Sequence, residues 1–271
     1  MVAKMDKKRP YQALISDVKD FYKEQEEIHK LEPVYLTWYD DCEEINLWTY
    51  WQGRGNLDAK ILLVGQDWGS LESPESYMAQ FKAINAGETD ILCPYGTSIT
   101  DNRLTELFAS IGYKDIINNH YSDLFFTNFV LGYRNKGLSG HFKSRWLREN
   151  KEFFRRLANI IAPDIIICLG RTTFHGVMMA FDRKIAMRSY NTFIISDANP
   201  VSVHLASGKT AYVFAQAHCG AMGTLNRNRL KDPEGRKDTE LQKHDWSRMK
   251  PYLSINESPL PSTPPQERPR Q

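Results

Sequence analysis

The sequence predicts a three-layer α/β/α sandwich around a short, mainly parallel central sheet. Three observations predict it. Short apolar runs such as 60-KILLVG-65, 124-LFFTNFVL-131 and 164-DIIICLG-170 read as strands buried on both faces. Stretches with helical periodicity lie between them. Strands alternating with helices imply βαβ units whose helices cover both faces of one sheet.

The elements follow in order. Residues 11–31 place Leu14, Val18, Phe21 and Tyr22 at helical spacing with charge opposite, which predicts an amphipathic helix. Residues 32–58 are irregular and carry Tyr35, Trp38, Tyr39, Trp48, Tyr50 and Trp51, which either cover a sheet edge or line a cleft. After the first strand, Ser73-Pro74 marks a helix start, with proline at the first helical position. A helix over 101–112 ends at Gly112, and a basic helix over 143–162 ends before Pro163. Another helix is predicted over 172–182, and a weak strand over 192-TFIIS-196. The last strand, 211-AYVFAQAH-218, follows the turn 207-SGK-209 and has an antiparallel partner at 201-VSVHL-205. A final helix is predicted over 238–252.

These elements divide the chain into an N-terminal helix and aromatic segment (1–58) packed on the core, an α/β domain (59–253) and a proline-rich tail (254–271) expected to be disordered. There is no internal repeat.

Composition excludes several classes. A net charge of +2 is too small to imply a nucleic-acid partner unless basic residues cluster locally. Cys42, Cys93, Cys168 and Cys219 lack C-x2-C spacing, so neither zinc nor an iron–sulfur cluster is expected, and no cofactor is assigned. No apolar segment reads as a signal peptide or a membrane span, so a cytoplasmic protein with reduced thiols and no membrane partner is expected, nucleoid-associated in a bacterial host. A monomer is expected. The P-loop, G-x-G-x-x-G and G-x-S-x-G motifs are missing, which weighs against a nucleotide-binding protein or an unrelated α/β hydrolase.

In a parallel sheet, ligands gather at the carboxyl ends of the strands. Those ends carry 65-GQDWG-69, 127-TNFVLGYR-134, 170-GRTTFHG-176 and 218-HCGAMGTLNR-227. Asp67 either caps a turn or presents a catalytic carboxylate. Asn128 lies in a strand, where asparagine is disfavoured, and is either a satisfied core amide or a reader of a ligand. His218 is either structural or catalytic. The case for a site is that all three converge on one rim.

The ordered set resembles the uracil-DNA glycosylase superfamily across roughly 60–230. The segment 65-GQDWG-69 is similar to its first motif, and 94-PYGTSITDNRLTELFASIG-112 to the loop and helix bearing a base-stacking aromatic, here Tyr95. The stretch 126-FTNFVLGYR-134 resembles the strand whose asparagine reads the base, and 163-PDIIICLGRTTF-174 the strand and turn of the iron–sulfur branch, without its cysteines. His218 stands where that family has His-Pro-Ser, but Cys219-Gly220 follow it, and Trp68 replaces the usual proline.

The resemblance implies a glycosylase-like fold and a DNA partner bearing uracil or a damaged base. It implies that Asp67 orients water, that His218 stabilises the departing base, and that Gln66, Tyr95 and Asn128 bind it, with Trp68 as another stacking surface. Backbone at Gly220 and Gly223, with Arg227, Arg229 and Lys231, would meet phosphates. Leu225 is either a wedge filling the gap of a flipped base or a core anchor. The basic run over 143–156 is either a second phosphate surface or a solvated helix face. The rival reading is a catalytically silent or altered relative that binds nucleic acid or a free base.

Overall fold

The computed structural model describes residues 6–38, 44–45, 52–68, 99–136 and 142–253. The expected helix at Ser73-Pro74, the stacking candidate Tyr95, the tail and four aromatics (Tyr39, Trp48, Tyr50, Trp51) lie outside them.

The described residues form a mixed α/β sandwich. Its helices are α1 (Lys8–His29), α2 (Ile99–Ser110), α3 (Ser144–Ile161), α4 (Arg171–Ala180), α5 (Tyr190–Ile194), α6 (Ala221–Asn228) and α7 (Asp238–Ser247). Its strands are β1 (Leu36–Thr37), β2 (Ile61–Gly65), β3 (Leu124–Asn128), β4 (Tyr133–Arg134), β5 (Ile165–Leu169), β6 (Val201–His204) and β7 (Thr210–Gln216). The main sheet has the order β3-β2-β5-β7-β6, and β1 pairs with β4 in a separate ribbon. Strands β2, β3, β5 and β7 run parallel, and β6 runs antiparallel along the edge.

The three continuous apolar runs are buried on both faces, because strand alternation sends neighbouring side chains to opposite layers. Leu62, Val64, Phe125, Ile166 and Cys168 join one cluster, with the inner faces of α1, α3 and α4. Ile61, Leu63, Phe126, Ile167 and Phe214 join the other, with α2 and Trp246 of α7. Burying each large side chain contributes about 1.5–3 kcal/mol. Edge strand β6 instead alternates, with Val201 and Val203 inside and Ser202 and His204 outside.

Helix α1 buries Leu14, Val18 and Tyr22 in the first cluster, so the N-terminal helix packs on the sheet it precedes. Helix α3 stops at Ala162, held in a left-handed conformation at φ 53°, ahead of Pro163.

One expectation needs correction. Residues 192–196 are not a strand: Tyr190–Ile194 form α5, which buries Phe193 and Ile194 in the first cluster. Its β-branched and aromatic content misled, because tertiary packing overrides β-propensity. The stretch after His218, to which no element was assigned, forms α6, since proline is absent and Ala221, Met222 and Leu225 are good helix formers.

Candidate active site

The carboxyl edge of the sheet gathers the predicted residues. Gly65 pairs with Asn128 on the adjacent strand, and Asp67 follows two residues beyond that level. His218 leaves β7, which lies beyond β5.

Asp67 is held by two side chains. Its Oδ2 accepts a 2.8 Å bond from Arg134 of β4 and a 2.9 Å bond from Gln66 Nε2. The ion pair is nearly dry, with the Arg134 and Asp67 side chains 3% and 6% exposed. The Arg134 guanidinium lies 5.5 Å from the centroid of Trp146 in α3. The carboxylate is therefore anchored from the α3 side. Trp68 stacks on Tyr133 at 5.2 Å, so one face of its indole is already covered.

Asn128 is not a satisfied core amide. It is fully buried, yet among the described residues neither its Oδ1 nor its Nδ2 has a hydrogen-bond partner. An unmet buried amide costs about 1–3 kcal/mol, so sites that keep one are suspected of meeting a ligand. Asn128 follows Phe126 by two residues, which turns it toward the α2 side of the sheet.

His218 is exposed at the rim, walled by protein mass whose desolvation lowers its pKa below the ordinary histidine value. Its Nδ1 accepts a 2.9 Å bond from the Gly220 backbone N–H. A neutral ring in that arrangement carries its proton on Nε2, as a donor. Gln242 of α7 donates to the His218 carbonyl at 3.2 Å. Arg103 of α2 bonds Cys219 O at 3.3 Å and Thr224 Oγ1 at 2.9 Å, which pins α2 against the start of α6.

The glycines around His218 serve packing. Gly170 takes φ 94° where β5 turns into α4, and its nearest side-chain neighbour is His218. A Cβ on Gly220 would come within 3.0 Å of His218 Nδ1 and 3.2 Å of Thr100 Oγ1, which places the ring beside the N-terminal turn of α2. A Cβ on Gly223 would sit 2.1 Å from His218 O and 2.7 Å from His218 Cβ. Helix α6 reaches the strand end only because position 223 has no side chain. Gly223→Ala should cost about 1–3 kcal/mol by overpacking. It should also displace His218, visible as a lowered Tm and shifted His218 resonances; an unchanged melting curve and spectrum would refute that role.

Arg227 requires correction. It is 3% exposed and makes a bidentate pair with Asp245 of α7, at 2.6 and 2.8 Å. A side chain committed to a buried carboxylate does not reach a phosphate, so Arg227 leaves the DNA-binding set. Arg229 and Lys231 are exposed. Leu225 is 57% exposed and Met222 67%, so Leu225 does not anchor α6 to the core. Met222, Leu225 and Arg229 share one helical stripe that faces outward.

The basic helix α3 has acidic partners. Lys143 and Arg145 both bind Glu32, and their hydrogen bonds hold that carboxyl at about 2. Arg156 pairs with Asp17 at 2.6 Å, and Arg155 pairs with Glu152. Much of its charge is matched, which favours the solvated-face reading.

Two residues escaped the sequence reading. Arg134 closed a quoted segment, but its partnership with Asp67 needs the β1–β4 ribbon to carry it there. Gln216 gave the same signal as Asn128, a polar residue inside an apolar strand. It is 1% exposed, and both its amide atoms lack partners among the described residues.

Cys168 and Cys219 are free and buried, and burial pushes the Cys219 thiol up to about 12, far from a reactive thiolate. Among the described residues, no three metal-ligating side chains come together, and no helix is long and apolar enough to cross a membrane. No protein-family model matches the chain, and no curated protein matches it.

Proposed function

We propose that the chain is a DNA base-excision glycosylase that hydrolyses the N-glycosidic bond of uracil or a related damaged base. The observation that carries this reading is the Asn128 amide, buried with both polar atoms unmet, on the sheet face that also holds His218. An amide presents a donor and an acceptor together. That pattern fits N3–H and O4 of uracil and disfavours the exocyclic amine of cytosine.

The chemistry needs charge placed at two points. As the bond from C1′ to the base nitrogen breaks, its electron pair leaves with the base and the sugar becomes cationic. Water then adds its oxygen to C1′, and the proton it loses neutralises the departed base anion. Asp67, anchored by Arg134 and Gln66, orients that water and offsets the cationic sugar. His218 Nε2–H donates to the base oxygen as negative charge develops there. The base must first be extruded from the duplex, which costs a few kcal/mol. Leu225 supplies an exposed apolar wedge, and Arg229 and Lys231 supply phosphate contacts.

The test is release of free base from uracil-, hypoxanthine-, xanthine- and thymine-mismatch-containing DNA, with alkaline scission of the abasic product. Binding to those strands without scission would instead support a silent relative, a reading favoured by the commitment of Asp67 to a buried guanidinium.

The neutral His218 ring also sets a pH profile. Desolvation lowers its pKa, so the neutral form persists below the ordinary value of ~6.5. Protonation would place a hydrogen on Nδ1 and break its bond from Gly220. Turnover should hold from neutral pH down past ~6.5 and then fall as the imidazolium forms. A His218-dependent acid limb centred at or above that value would refute the assignment.

A further inference from the structure

The floor of the site has a regular cross-section. Asn128 is level with Gly65, Leu169 is level with Gln216, and one step beyond the Val64–Cys168 pair Gly65 lies level with Leu169. Four residues on four adjacent strands thus form one row at the carboxyl edge. Alternation places all four on the α2 side, because Leu63, Phe126, Ile167 and Phe214, each two residues earlier, belong to that cluster, as does Leu169. The row reads amide, bare backbone, apolar side chain, amide. Three strand spacings separate its ends, roughly 14 Å between Cα atoms.

The second amide is as unusual as the first. Gln216 is 1% exposed, and among the described residues neither Oε1 nor Nε2 meets a hydrogen-bond partner. Its backbone is held firmly, since the Gln216 carbonyl accepts bonds from Gly170 N–H at 2.8 Å and from Tyr190 Oη–H at 2.9 Å. The side chain is thus aimed by a fixed strand end. It precedes His218 by two residues on the same strand.

Resting on the glycosylase reading, we infer that Gln216 is a second donor to the base: its Nε2–H binds, beside His218 Nε2–H, the 2-oxo oxygen of a ring whose adjoining N3–H and 4-oxo edge Asn128 reads. A carbonyl oxygen has two lone pairs and accepts both donors. The site then selects heterocycles with an oxygen at position 2, the 2,4-dioxopyrimidines and 2,6-dioxopurines. Two donors aimed at one oxygen also stabilise it more as it becomes an anion than one donor does.

The experiment compares ring pairs that differ only at position 2: uracil with 4-pyrimidinone, and xanthine with hypoxanthine. Binding of the free bases is measured by calorimetry for the full chain and for Gln216→Leu, alongside release of xanthine and hypoxanthine from DNA. The wild type should favour the 2-oxo member of at least one pair by about 10–100-fold, the effect of leaving one buried polar group unpaired. In Gln216→Leu that preference should fall about tenfold, to the share that His218 Nε2–H still contributes. Because no partner is lost, the variant should melt at or above the wild-type temperature. A wild-type preference that survives undiminished in the variant would overturn the inference, as would a clear drop in Tm or failure of every free base to bind. Loss of base release from DNA with the free-base preference intact would defeat the glycosylase reading and leave this one standing.

Discussion

Arg227→Ala should lower stability by about 3–5 kcal/mol, the typical result of stripping one partner from a buried ion pair. Asp245 is 1% exposed and receives two guanidinium bonds, so truncation leaves a carboxylate stranded between α6 and α7. Domains of ordinary stability hold only about 5–15 kcal/mol in all, so the loss is a large share. In thermal unfolding it corresponds to a drop in Tm of roughly 6–20 °C. Removing both charges together, with Arg227→Met and Asp245→Leu, should recover most of that loss, because the uncompensated charge goes too. A surface role predicts the opposite: an unchanged Tm and a flatter dependence of DNA affinity on salt. That outcome would return Arg227 to the phosphate-binding set.

His218→Ala should lower the rate of base release about 100- to 1000-fold, equivalent to about 2.7–4 kcal/mol of transition-state stabilisation. The side chain is exposed, and its ring accepts a local hydrogen bond from Gly220. Removing it opens no core cavity, so Tm should hold. DNA affinity should change little, since the interaction strengthens only as the base becomes an anion. Single-turnover rates and equilibrium binding on one uracil-containing oligonucleotide separate the two quantities. Equal losses in affinity and rate would mean that His218 holds the DNA and does not assist departure of the base.

The strands of the sheet were legible because they are local and redundant. A run such as 165-IIICL-169 is apolar on both faces, and only a central strand covered by helices accommodates that. Helix α3 was legible for the same kind of reason, with a long apolar face and Pro163 after its end. Short elements were harder. Residues 190–194 are too few to show a period, and their β-branched composition favours a strand when read without neighbours. Helix α6 hid behind two glycines, one of which is explained only by the His218 carbonyl lying 2.1 Å from where its Cβ would be.

The candidate site divides along the same line. Asp67, Asn128 and His218 were placed at the carboxyl edge from sequence because strand ends can be read in one dimension, and that edge of a parallel sheet is where side chains meet a ligand. Arg229 and Leu225 lie on exposed positions of the segment that follows. Arg227 lies only two residues from each and points inward, because the pitch of a helix gives adjacent positions opposite fates.

The sequence by itself determined the layered architecture, the parallel strands and the rim on which polar residues collect, since these follow from hydrophobic period and chain order. Only the tertiary structure decided what each polar group faces. It gave Asp67 a buried guanidinium, gave Arg227 a buried carboxylate, and left the amides of Asn128 and Gln216 unmet at the ends of one row. Pairing of charges and amides depends on distances of a few ångströms between segments far apart in the chain, and burial magnifies each such pairing because the interior screens it so little.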